Sequence, residues 1–136
     1  MLRLMAEREQ IKVVHDQIGS PTSCHSLAEM LFTLLSKQST RGIYHWTDGG
    51  EISWFDFANA IQEEGINASL LCTRIPIHSI PSIEYPAPAQ RPAYSVLDRS
   101  VALKLMDRPI DRPIDSWQQR LHTVIQNIAH MNETAA

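Results

Sequence analysis

The stretch Tyr85 to Asp98, Tyr-Pro-Ala-Pro-Ala-Gln-Arg-Pro-Ala-Tyr-Ser-Val-Leu-Asp, is closed to helix and to central strand alike. Pro86, Pro88 and Pro92 each fix φ near about −65° and remove a backbone donor, and each pushes the preceding residue toward extended backbone. A stiff loop is what remains. Arg91 lies inside it, flanked by the flat, amphipathic rings of Tyr85 and Tyr94. A guanidinium on a pre-ordered backbone loses less entropy when it grips a carboxylate or phosphate. The plainer alternative is a Pro-rich connector with one solvated arginine.

At 136 residues the chain is one ordinary domain in length, long enough to bury a real core. Its 43% hydrophobic and 20% charged residues are those of a globular chain, not a disordered one. A formal charge of −3 argues against nucleic acid or an anionic membrane as partner, so a phosphate-bearing ligand must be held by a few placed groups. Cys24 and Cys72 make no disulfide framework, and with no secretory segment in view the cytoplasm is the expected compartment. The apolar run Leu27 to Leu35 is too short to span a bilayer.

Local pattern predicts the elements. Met1 to Glu9 reads as a helix without a cap, and Ile11 to Val14 as a short strand, left through a polar turn from His15 to Thr22. Leu27, Met30, Leu31, Leu34 and Leu35 recur at helical spacing from Thr22 or Ser23 to Ser36, with Ser26 and Glu29 as a capping box and Thr22 as a candidate cap. Gly42 to Trp46 is β-prone and ends at the turn Thr47-Asp48-Gly49-Gly50. Ser53 with Asp56 should open an amphipathic helix that stops before Gly65. Leu70 to Ile80, broken by Pro76, predicts short edge strands. Ser95 to Leu97 should pair briefly before a helix from Arg99 to Met106. Asp107 to Asp115 repeats a four-residue Asp-Arg-Pro-Ile unit, read as a surface insertion. Asp115 and Gln118 should cap a last helix striped with Trp117, Leu121, Val124, Ile125 and Ile128, with a frayed end from Asn132.

No reaction centre declares itself. Tyr44, Tyr85 and Tyr94 are followed four residues later by Asp48, Ala89 and Asp98, never by lysine. Glycines at 19, 42, 49, 50 and 65 cannot build a dinucleotide or phosphate loop. No serine sits in a nucleophile elbow, and the six histidines show no metal-ligand spacing. Catalytic, cofactor-binding and metal-binding residues are therefore expected to be none.

The blocks HDQIGSPT (15–22), SLA (26–28), GIYHWTDGG (42–50), SWFDFA (53–58), EYPAPAQRPAYSVLD (84–98) and DSW (115–117) together resemble, in order and spacing, the C-terminal portion of the dTDP-4-dehydrorhamnose reductase family. The resemblance implies an α/β fold, the C-terminal fragment of an NAD(P)-binding Rossmann-type extended short-chain reductase. Residues 1–50 would be a remnant of the nucleotide-binding region and 51–136 the sugar-nucleotide lobe, the two making one partial domain. It also implies an oxidoreductase that reduces dTDP-4-dehydro-L-rhamnose with NADPH. The Gly-rich loop and Tyr-x-x-x-Lys pair of such enzymes match no position here. The expectation is a truncated chain inactive alone, exposing apolar surface that a separately encoded N-terminal half or a second copy would cover. Mg²⁺ finds no support. Two other readings are a non-catalytic sugar-nucleotide-binding or regulatory subunit, and a remnant without a stable fold.

Three departures from the family stand out. Gln90 replaces the first of two arginines before the proline, Ser26 stands where an acid is common, and the Asp-Arg-Pro-Ile unit is doubled. For substrate binding the resemblance favours Arg91 on a diphosphate, against a salt bridge within the protein. Gln17, Asp16 and Tyr94 complete the candidate set. For Gln17 the alternative is a side chain that steadies its own turn, and Asp16 reads as a brace for the same turn. Trp54 and Trp117, each opening a helix, read as core.

Overall fold

A computed structural model describes residues 1–37, 40–106 and 116–134. The doubled Asp-Arg-Pro-Ile unit, with Asp115 as a cap, falls outside them.

The chain opens with helix α1 (Leu2–Glu7), which has no side-chain cap, as its sequence implied. Strand β1 (Ile11–Val14) follows, burying Ile11 and Val13 and exposing Lys12, the alternation of a strand with one face in the core. It pairs in parallel with β4 (Ile77–Ile80), Ile11 opposite Ile77 and Val14 opposite Ile80. The long connection between them holds α2 (Cys24–Ser36) and α3 (Trp54–Asn67). A second, antiparallel pair joins β2 (Ile18–Gly19) to β3 (Ile52–Ser53). Helices α4 (Ser100–Leu105) and α5 (Trp117–Thr134) complete the chain, and α5 runs through Asn132, where fraying was expected.

Three apolar clusters hold these elements together. Met5, Ile11, Val13, Ala58 and Leu71 form the first, so residues on both sides of position 50 share one core and one ladder. Trp117, Leu121 and Ile125 lay one face of α5 against Phe57, Ile61 and Leu70 in the second. In the third, Met30 of α2 packs with Trp46, Ala102 and Leu103. Burying a side chain of this size contributes about 2 kcal/mol over leaving it in water.

Three local expectations are corrected. Gly42 to Trp46 forms no ladder: Trp46 turns into the third core while Ile43 points to solvent. β-propensity reports fit to a pleated neighbour, and the described chain supplies no strand edge there. Gly65 lies inside α3, not past its end. A Cβ there would meet Leu2 Cδ2 at 2.8 Å and Leu71 Cδ1 at 3.0 Å, so the glycine answers a close approach. The left-handed residue after this helix is Ser69, with φ 57°. Helix α2 is capped by Ser23, whose hydroxyl accepts the Ser26 N–H, and not by Thr22 or by a Ser26/Glu29 box.

Helix α2 is apolar on two sides. Met30 and Leu34 face the third core, while Leu27, Leu31 and Leu35, one turn apart along a single ridge, face outward with Leu35 82% exposed.

Candidate functional site

The Pro-rich loop is anchored at both ends by three consecutive residues of the His15 to Thr22 turn. At its start, the Asp16 carboxylate accepts the Ser82 N–H at 2.9 Å and the Ser82 hydroxyl at 2.6 Å, and the Gln17 amide donates to the Ser82 hydroxyl at 2.8 Å. Ser82 opens a single 3₁₀ turn that leads into the loop. At its far end, the Ile18 N–H donates to the Ala93 carbonyl at 2.8 Å and the Ser95 N–H to the Ile18 carbonyl at 2.9 Å, with Tyr94 bridged to Ile18. Strand β2 thus has β3 on one edge and residues 93–95 on the other. A proline-stiffened segment held at both ends has little freedom left.

Asp16 and Gln17 are the staples of this clamp: each reaches Ser82, 66 or 65 residues on, and the Gln17 amide is not seen bonding the backbone of its own turn. The hydrogen bonds from Ser82 hold the Asp16 carboxyl below its ordinary value. Tyr94 is exposed and its phenol donates to Glu51 at 2.5 Å, a contact that pushes the phenol above its ordinary value. Arg91 is exposed on the clamped loop and has no ion pair or hydrogen bond among the described residues, so the salt-bridge alternative finds no partner.

Beside the clamp lies a hollow of about 410 Å³, walled by Gly19 to Thr22 of the turn, Trp46 and Thr47, the start of α3, and Ser95 and Leu97. Arg91 is not part of its wall, but it lies only four positions before Ser95, a chain reach of at most about 14 Å. A second hollow of about 350 Å³ shares Pro21, Thr22, Trp54 and Phe57 with the first. Trp54 stands between the two and is 53% exposed, which corrects its reading as core. Trp117, at 9%, is core as expected. Phe57 links the two indoles by edge-on contacts, 6.4 Å to Trp54 and 5.8 Å to Trp117.

The turn after Trp46 ties the walls together. Asp48, 2% exposed, accepts the Ser23 N–H at 2.7 Å and the Ser26 hydroxyl in a very short contact, while the Trp46 indole N–H donates to that hydroxyl at 3.3 Å. The Gly49 carbonyl accepts the Trp117 N–H, opening α5, and the Gly50 carbonyl accepts the Ser20 hydroxyl. Gly50 takes a φ of 89°, which a side chain would strain. Burial pushes the Asp48 carboxyl above its ordinary value, against the pull of its two hydrogen bonds and of Arg120 and Arg99. The sequence reading passed over Asp48, whose only local signal was its place in a turn.

The starts of α2 and α3 do not offer a dinucleotide the phosphate cradle it needs. A phosphate seeks the free N–H groups of a helix start after a Gly-rich turn. Here the start of α2 faces the Asp48 carboxylate, and the start of α3 is closed by Ser53 with Asp56. No group of metal-binding side chains occurs among the described residues, and none of their helices is long and apolar enough to cross a membrane.

The chain is 37% identical over 127 residues to the spore coat polysaccharide biosynthesis protein SpsK of Bacillus subtilis, covering 93% of this chain and 40% of that protein. It is 42% identical over 116 residues to the dTDP-4-dehydrorhamnose reductase of Burkholderia thailandensis, covering 76% and 38%. The crystal structure of dTDP-4-dehydrorhamnose reductase from Bacillus anthracis in complex with NADP superposes with a TM-score of 0.74 at 34% identity, covering 90% of this chain and 40% of that one. The chain thus spans well under half the length of these relatives. A family model described as the RmlD substrate binding domain matches residues 1–130, and the chain belongs to that family.

Proposed function

We propose that this chain is the substrate lobe of an NADPH-dependent dTDP-4-dehydrorhamnose reductase, an oxidoreductase that converts dTDP-4-dehydro-L-rhamnose to dTDP-L-rhamnose. The observation that carries the reading is Arg91, without an ion pair or hydrogen bond among the described residues, on a loop clamped at both ends beside an uncharged hollow. A nucleoside diphosphate sugar has the matching division of charge. Its pyrophosphate suits a bidentate guanidinium, and the remainder is neutral. Tyr94 stands on the same segment, while Asp16 and Gln17 act on the ligand through the loop they brace.

NADPH, when bound to such an enzyme, supplies the hydride for the ketone. Its site and the proton donor belong to the share of the relatives that this chain does not match, as the closed helix starts imply. This chain's own residues bind and orient. The outer ridge of α2 at Leu31 and Leu35, beyond the Leu27 that lines the hollow, is the face we assign to the cofactor-binding portion, in preference to a second copy of the lobe, because the relatives carry most of their length outside the matched region. The expected compartment is the cytoplasm, where the exposed Cys24 and Cys72 stay reduced.

A chimera tests the reading. With the matched C-terminal part of the Bacillus anthracis reductase replaced by this chain, NADPH oxidation with the ketosugar should persist, and Arg91→Ala should raise KM with little change in kcat. The chain alone should oxidise no NADPH. A dead chimera that folds, or an Arg91→Ala variant with unchanged KM, would overturn it.

A further inference from the structure

The start of α4 gives no local reason for a cation. Arg99 is the residue that precedes the helix and makes no side-chain cap, while the Asp98 carboxylate accepts the Ser100 N–H at 2.8 Å. The free N–H groups of a helix start carry partial positive charge, which a guanidinium opposes. The Arg99 side chain reaches a distant segment instead. Its Nη1 donates to the Thr47 carbonyl, 52 residues away, at 3.4 Å, and its guanidinium carbon lies 6.0 Å from the centre of the Trp46 ring. It makes no ion pair among the described residues. Trp46 and Thr47 are themselves buried, so the contact is partly shielded from water, where a cation over an indole and a hydrogen bond each count for more.

Trp46, Thr47, Ser95 and Leu97 all belong to the wall of the first hollow, and Arg99 does not. The clamp on the Pro-rich loop ends at Ser95, which Ile18 holds. Leu97 lies past it and is 43% exposed. Among the described residues, the next hydrogen bond along the chain to another segment is the one from Arg99 to Thr47. We infer that Arg99 is a positioning residue for the sugar nucleotide, one that sets the width of the hollow by holding the Ser95 to Leu97 wall to Trp46 and Thr47 while touching no ligand itself. This deepens the function proposed above and rests on it for the ligand. Arginine suits the place because a single guanidinium can face an indole and donate a hydrogen bond from its edge at once.

Calorimetric titration with dTDP-L-rhamnose and backbone NMR relaxation on the 136-residue chain test it together. Arg99→Ala should weaken sugar-nucleotide binding roughly tenfold, the scale of a cation–π contact and a hydrogen bond lost together. Without ligand, the order parameters of residues 96–98 should fall from about 0.85 toward about 0.6 in the variant, while those of α5 stay as in the wild type. A residue that only stabilised the fold would lower the melting temperature and leave both readings in place. Wild-type affinity in a folded Arg99→Ala variant, unchanged order at 96–98, or order lost equally in α5 would each overturn the role. Arg91→Ala separates the two claims. Sugar-nucleotide binding that Arg91→Ala weakens and Arg99→Ala does not sinks the positioning role alone. No binding by the wild type, with order lost only at 96–98 in Arg99→Ala, sinks the reductase assignment and leaves the hold on the wall standing.

Discussion

The Asp48 carboxylate accepts the backbone N–H of Ser23, 25 residues away, and so closes the start of α2 from outside the helix. In a capping box the third helical residue supplies that acceptor. Here the third residue is Ser26, which instead donates its hydroxyl to Asp48. The box is divided between two segments, and one of them is the wall of the hollow.

Asp48→Ala should therefore cost about 2 kcal/mol of stability, the scale of a charged hydrogen bond plus a lost cap. Ser26→Asp alone should also destabilise, by setting two carboxylates side by side. Combined, the two changes should cost less than the sum of the singles, because the acid then sits on the helix itself. Urea unfolding of the four proteins measures the coupling, and strict additivity would contradict a shared box.

Two carboxyls pull stability in opposite directions with pH. Asp16 lies below its ordinary 3.8 because Ser82 bonds its charged form, so its contribution is present above 3.8 and lost as pH falls through the folded-state value. Asp48 lies above 3.8 because it is buried, so its contribution is present below 3.8 and lost as pH rises through the folded-state value. Asp16→Asn should flatten the acid limb of unfolding free energy against pH. Asp48→Asn should remove the decline just above 3.8.

Gly65→Ala sets helix propensity against space. Alanine favours the helix by up to about 1 kcal/mol, while overpacking costs about 1–3 kcal/mol, so net destabilisation near 1 kcal/mol is expected. The methyl would press on Leu2 and Leu71. Leu2→Ala should consequently cost less in the Gly65→Ala background than in the wild type, by thermal unfolding.

The Tyr94 phenol donates to the Glu51 carboxylate, and that bond is the first cause of its raised value. In a spectrophotometric titration the Tyr94 phenol should ionise late, and Glu51→Gln should bring it back toward its ordinary value. Stability should change little, since the pair is exposed.

Much of the fold was legible because it is local. The stripe of Trp117, Leu121 and Ile125 gave α5, and Ser53 with Asp56 gave the start of α3. The start of α2 was ambiguous because Thr22, Ser23 and Ser26 all carry hydroxyls, and Asp48, far off in sequence, decides among them. Gly65 showed the same signal a helix stop shows, and only Leu2 and Leu71 reveal a close contact. Trp54 and Trp117 look alike in sequence, each at a helix start, but α5 packs on α3 through Trp117 and leaves Trp54 at the hollow. The clamp on the Pro-rich loop rests on pairs 65 to 77 residues apart, beyond any local pattern.

The account rests on one division of labour, a lobe that holds the diphosphate sugar and leaves the cofactor to other polypeptide. Calorimetric titration of the purified chain with dTDP-L-rhamnose and with NADPH tests it most directly. Saturable binding of the sugar nucleotide, weakened by Arg91→Ala, with no heat from NADPH, is the predicted result. Saturable NADPH binding, or sugar-nucleotide binding indifferent to Arg91, would contradict it.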